Sequence, residues 1–156
     1  KIERKIGFDV PINLKKKNTF LAGKKDKMFR SNQKFELNLL IIYPNVICST
    51  KKIYQKNKIK STQKVPYIFN IKNNKKLINF LINESNDLEK TVVKLYPEIG
   101  KIIDYIKSQN GCYFSRITGS GSACIGAFSN MRNAIYAQKL IKLKYPKYWC
   151  VVSKTI

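Results

Sequence analysis

The chain has 156 residues, 44% of them apolar and 12% aromatic, which is enough for one ordinary core and falls in the single-domain range. It contains no histidine, so imidazole chemistry is excluded and proton transfer near neutral pH falls to a carboxylate, a lysine or a tyrosine. The formal net charge of +22, from 31 basic and 9 acidic side chains, admits either a polyanion-binding surface or compositional drift toward Lys, Asn and Ile.

In chain order, residues 1–36 are Lys-rich and weak in periodicity. Within them "NTFLAGKKDKMF" has a Gly-containing centre that predicts a turn between two short strands. "FELNLLIIYP" is an apolar run of strand length ended by Pro44 and predicts a buried strand. In "NVICSTKKIYQK", Ser49 or Thr50 caps a short helix. Residues 56–72 show neither period and are expected to be a loop.

From Asn73 the spacing of Leu77, Ile78, Leu81 and Ile82 predicts a helix. A second helix opens at "NDLEKTVVKLYP", with Asn86 as N-cap, Glu89 in the capping-box position, and Leu88, Val92 and Leu95 on one face. Pro97 starts a third, carrying Ile99, Ile102, Ile103 and Ile106 inward and stopping at Gly111 in the C′ role. "CYFSRIT" and "SACIGAF" predict antiparallel strands around glycines. "MRNAIYAQKLIKLKYP" is a last helix, with Ile135, Leu140 and Ile141 inward, and "YWCVVSKTI" a terminal strand. The predicted fold is α+β, an antiparallel sheet with helices packed on one face.

Cys48, Cys112, Cys124 and Cys150 lie far apart without a C-x-x-C pair, so reduced core thiols are expected rather than a zinc site or disulfides. No apolar h-region opens the chain and no apolar run reaches the length of a membrane span, so the expectation is a soluble, cytoplasmic protein without a membrane partner. Arginine occurs only at Arg4, Arg30, Arg116 and Arg132. That scarcity speaks against a specific nucleic-acid reader, because Arg is the residue of bidentate phosphate and base-edge recognition.

Three short motifs bear on chemistry, each with a plain structural alternative. "GFDVP" holds Asp9 between Gly7 and Pro11, a catalytic carboxylate or an Asx-turn. "YPNVICSTKKIY" sets Thr50 and Tyr54 four apart, on one helix face, as ligand contacts or as a capping hydroxyl and a half-buried ring. "RITGSGSACIGAF" sets Gly119 and Gly121 around Ser120, as a backbone cradle for an anion or a hairpin turn.

Together with "NDLEKTVVKLYPEI", and in this order, these motifs resemble the C-terminal half of the 4-diphosphocytidyl-2-C-methyl-D-erythritol kinases, a family of the GHMP kinase superfamily, over essentially the whole chain. The resemblance implies a ferredoxin-like C-terminal GHMP domain in residues 37–156, preceded in residues 1–36 by the tail of the N-terminal domain. It implies Asp9 as the catalytic carboxylate, Thr50 as a substrate-contacting hydroxyl and Tyr54 as the aromatic that stacks on cytosine. Gly119, Ser120 and Gly121 become a phosphate-loop support beside the nucleotide. ATP and Mg²⁺ are the implied cofactors and a small cytidyl compound the substrate.

The family's long glycine-rich loop has no match in residues 1–156, nor has its N-terminal lysine; Phe8 replaces a small residue before the Asp, and "GKKDK" stands for G-x-G-E. The chain by itself is therefore expected to be inactive, completed by a second chain that supplies the N-terminal half. The alternatives are a non-catalytic Lys-rich polyanion-binding domain or a remnant of a decaying gene.

Overall fold

The structure, a computed structural model, describes residues 17–22, 27–57 and 71–155. In chain order these form β1 (Asn18–Ala22), β2 (Lys27–Ser31), β3 (Asn38–Tyr43), α1 (Thr50–Lys56), α2 (Asn74–Asn83), α3 (Glu89–Leu95), α4 (Pro97–Lys107), β4 (Cys112–Ile117), β5 (Cys124–Phe128), α5 (Met131–Lys144) and β6 (Trp149–Lys154). β1 and β2 pair antiparallel, from Asn18 with Ser31 to Ala22 with Lys27, in a sheet of their own. The other four strands make an antiparallel sheet in the order β4-β5-β3-β6. The architecture is the α+β sheet-and-helix arrangement expected from the sequence. The expected loop at 56–72 falls largely on residues outside the described set.

β3 occupies an inner position, as its unbroken apolar run suits. Successive side chains of a strand point to opposite faces, and here Leu40 and Ile42 are fully buried while Leu39 and Ile41 are half-buried. The fully buried face carries the helices, α4 beneath β4 and β5 and α5 beneath β3 and β6. α4 begins with Pro97 in its first turn and buries Ile99, Ile102, Ile103 and Ile106, the i, i+3, i+4, i+7 pattern of a core-facing helix. Each fully buried isoleucine contributes about 1.5–3 kcal/mol. α4 also comes close: a Cβ on Gly126 would stand 2.4 Å from Ile106 Cγ2, so only glycine lets β5 accept this helix without a shift.

α5 departs from the expected inward set. Ala134, Ala137 and Ile141 are its buried residues, Leu140 is half-buried and Ile135 is 42% exposed. Position 135 is rotated about 100° from 134, and two alanines one turn apart let the helix axis lie near the sheet where larger side chains would hold it off. Periodicity picked the larger residues; closeness selects the smaller ones.

Two smaller departures concern helix ends. α4 stops at Lys107 with Ser108 as C-cap, so Gly111, at φ +74°, serves the turn into β4 instead of the helix C′ position. α2 is capped by the Asn73 side chain, which accepts from Lys76 N–H at 2.9 Å. It half-buries Leu77, Ile78 and Leu81 but leaves Ile82 exposed. No helix of the described residues is long and apolar enough to cross a membrane.

Candidate active site

β4 and β5 are joined by residues 118–123. Thr118 N–H donates to Ala123 O and Gly121 N–H to Thr118 O, both at 2.9 Å, while Gly119 and Gly121 take φ of +52° and +78°. Positive φ at two positions in a tight turn is the work of glycine. Gly121 is also confined, since a Cβ there would meet Val92 Cγ1 at 3.4 Å and Cys48 Sγ at 3.5 Å. The stretch therefore closes a hairpin, and Gly121 N–H is used inside it. The turn also lies against α3 and the segment leading to α1.

That segment ends in a helix cap. Ser49, not Thr50, is the N-cap: its hydroxyl accepts from Lys52 N–H at 3.3 Å, and its own N–H donates to the Tyr96 hydroxyl, also at 3.3 Å. Thr50 becomes the first residue of α1, so Thr50 and Tyr54 stand one turn apart on one face. Ile53, fully buried, roots the helix in the core. The Thr50 and Ser120 hydroxyl oxygens are 2.9 Å apart and hydrogen-bonded, bridging 70 residues of sequence. Tyr54, one turn further along, is 62% exposed. Thr50 and the turn at Gly119, Ser120 and Gly121 thus meet; Asp9, with Gly7 and Phe8 beside it, lies outside the described residues.

Two residues that sequence reasoning assigned to local capping also hold the turn. Asn86 Nδ2 donates to Gly119 O at 2.8 Å and to Ile117 O at 3.3 Å, while its Oδ1 accepts from Leu88 N–H. Glu89 Oε2 accepts from Ile117 N–H at 2.8 Å. There is no capping box: α3 starts at Glu89, with Leu88 as N-cap and no side-chain cap bond. β4 is an edge strand, and edge strands expose unpaired main-chain groups. Here both polar groups of Ile117 are met by this Asn–Glu clamp. The "NDLE" stretch was visible in the sequence, but its partners, about thirty residues away, were not.

The surroundings are mostly apolar. Burial pushes the Cys124 thiol up to about 12, with the charge of Glu89 adding to it, and burial followed by the charge of Glu98 raises Cys48. Thiolate is the nucleophilic form, so these cysteines are packing groups near neutral pH. Arg116, the arginine of the glycine motif, lies 4.1 Å from the centre of the Phe114 ring and donates to Leu81 O. Burial lowers its pKa, opposed by Glu89 and Glu84. Among the described residues no three His, Cys, Asp or Glu side chains are grouped to hold a metal ion. With Gly121 N–H already engaged, the turn is not a full phosphate cradle.

The chain is 35% identical over 158 residues to a 4-diphosphocytidyl-2-C-methyl-D-erythritol kinase of Pelagibacter ubique, covering 100% of this chain and 54% of the relative. It is 31% identical over 147 residues to the protein of the same name from Wolbachia pipientis wMel, covering 92% and 50%. The chain spans about half the length of the curated relatives it matches. The fold is similar to a crystal structure of 4-(cytidine 5'-diphospho)-2C-methyl-D-erythritol kinase, with TM-score 0.71 and 19% identity over 96% of this chain and 54% of that one. It is also similar to homoserine kinase from Cytophaga hutchinsonii, with TM-score 0.58 and 12% identity over 88% and 47%. The model of the GHMP kinase C-terminal domain matches residues 68–145, a stretch that takes in the Asn–Glu clamp, the glycine turn and the helices beneath the sheet; the chain belongs to the GHMP kinase family.

Proposed function

We propose that this chain supplies the C-terminal half of an ATP-dependent kinase that phosphorylates the 2-hydroxyl of 4-diphosphocytidyl-2-C-methyl-D-erythritol in non-mevalonate isoprenoid biosynthesis. Residues 37–156 are then the C-terminal domain and residues 1–36 the tail of the N-terminal one. Asp9 accepts or orients the proton of the substrate hydroxyl as its oxygen attacks the γ-phosphorus of ATP, the role that phosphoryl transfer leaves to a side chain once positioning has lowered most of the barrier. In a chain without histidine a carboxylate suits that task. Thr50 contacts the substrate, Tyr54 stacks on its cytosine, and the 119–121 turn braces the site. The substrate is a small molecule of the cytoplasm, and the reaction calls for no nucleic-acid or membrane partner.

The observation that carries this reading is the 2.9 Å bridge between Thr50 and Ser120, which joins two of the resemblance's motifs. Tyr54 supports it as a large, exposed ring one helical turn from that bridge. The glycine-rich loop has no counterpart in residues 1–156, so turnover requires that loop from another segment, in the same polypeptide or in a second one.

Titration calorimetry with the cytidyl substrate tests the assignment. Stacking of a base on an aromatic is worth about 1–3 kcal/mol, so Tyr54→Ala is expected to weaken binding about tenfold, while single changes of distant lysines leave it within about twofold. Binding unchanged by Tyr54→Ala but falling steeply with added salt overturns the assignment in favour of a polyanion-binding domain.

A further inference from the structure

We propose that the groove between the C-terminal end of α1 and α3 is a binding site for a small phosphate-bearing anion, separate from the candidate active site. The groove has a volume of about 570 Å³, within the range of small-molecule sites. Lys56 lines it from the last turn of α1; Lys90 and Lys94, one turn apart on α3, line the other side. Thr91 Oγ1 donates to Asn57 Oδ1 at 3.3 Å and ties the two walls together, while Leu95 adds an apolar patch.

The charge balance decides the ligand. Among the described residues no carboxylate lines the groove. The C-terminal ends of the two helices bring about −0.5 each against three ammonium groups, so the groove keeps a surplus of about two positive charges, suited to a dianion. Lysine supplies compact point charges, which suit a phosphate group and lack the planar fork that reads base edges. Among the described residues no aromatic side chain lines the groove, so these offer no stacking platform for single-stranded nucleic acid. It is also distinct in place: Lys56, two residues beyond Tyr54, is turned about 200° from it around the axis of α1, so the two residues stand on opposite faces of the helix.

Inorganic pyrophosphate is the probe, titrated into the full chain while backbone amide shifts are followed by NMR. Saturable shifts confined to residues 55–57 and 90–95 are expected. The double change Lys90→Gln with Lys94→Gln weakens them tenfold or more, and Lys139→Gln with Lys142→Gln on α5 weakens them less than twofold. All four lysines are exposed, so both variants are expected to keep the fold, which an unchanged thermal midpoint verifies. Equal weakening by the two pairs, or shifts spread over all Lys-bearing surfaces, overturns the site and leaves only diffuse charge. The probe needs neither the cytidyl substrate nor Tyr54, so loss of this site leaves the kinase assignment standing, and Tyr54→Ala is expected to leave pyrophosphate binding unchanged.

Discussion

On one half of the four-stranded sheet, β3 and β6 rest on α5 through Ala134, Ala137 and Ile141, all fully buried, with one polar contact from Gln138 to Cys150 O at 3.0 Å. On the other half, the β4–β5 hairpin also lies on isoleucines, but its turn is held by directed bonds from Asn86, Glu89 and Thr50. Apolar contact is non-directional and scales with area, so the packing of α4 and α5 on the sheet governs how stable the domain is. Hydrogen bonds fail steeply with distance and angle, so the clamp governs where individual backbone atoms of the turn stand. A site that needs placed atoms belongs on the second half, and Thr50 and the 119–121 turn are found there.

The contrast is broken most forcefully at the apolar half. Ile141→Ala empties a fully buried position and is expected to destabilise by about 2–5 kcal/mol, read as a lower urea midpoint, while amide shifts of residues 118–123 stay near their original positions. Glu89→Ala sharpens the other side. It strips the partner from Ile117 N–H and is expected to cost about 1–3 kcal/mol, less than the core change, with shifts concentrated in residues 117–121. Should the core change move the turn more than Glu89→Ala does, the division of labour is wrong.

A further effect is in pH. Burial raises Cys112 to about 11, opposed by the backbone contact with Phe114, and Cys124 to about 12. An unfolded thiol titrates near 8.5. The folded state therefore keeps protons that the unfolded state releases. This contribution is complete below about pH 8.5 and is lost progressively as pH rises toward 11 and 12. Urea midpoints measured from pH 8 to pH 10 are expected to fall, and to fall less steeply in Cys124→Ala.

Period and punctuation were enough for much of this fold. The apolar run of β3, the isoleucine stripe of α4 behind Pro97 and the two runs around the glycines each match the element observed. Where the sequence misled, one residue had two satisfactory uses. Asn86 and Glu89 fit a capping box as well as a clamp on residues 28 to 33 positions away, and only tertiary packing separates the two. Ile135 and Ala134 likewise depend on how near α5 lies to the sheet, which hydrophobicity alone does not encode. For the site, the helical spacing of Thr50 and Tyr54 was legible, because a cap and an i, i+4 pair are local. The meeting of Thr50 with Ser120 was suggested only through the motif resemblance, since nothing in either stretch names the other.

The central claim is that Asp9, Thr50 with Tyr54, and the 119–121 turn serve one phosphoryl-transfer site. Its most direct test is ATP-dependent phosphorylation of the cytidyl substrate by this chain combined with the N-terminal half of the Pelagibacter ubique relative. The account predicts no turnover by the 156 residues alone, turnover in the combination, and loss of about a hundredfold or more with Asp9→Asn, the scale of a positioned acid–base group. Turnover by the chain alone, or a combination indifferent to Asp9→Asn, would contradict it.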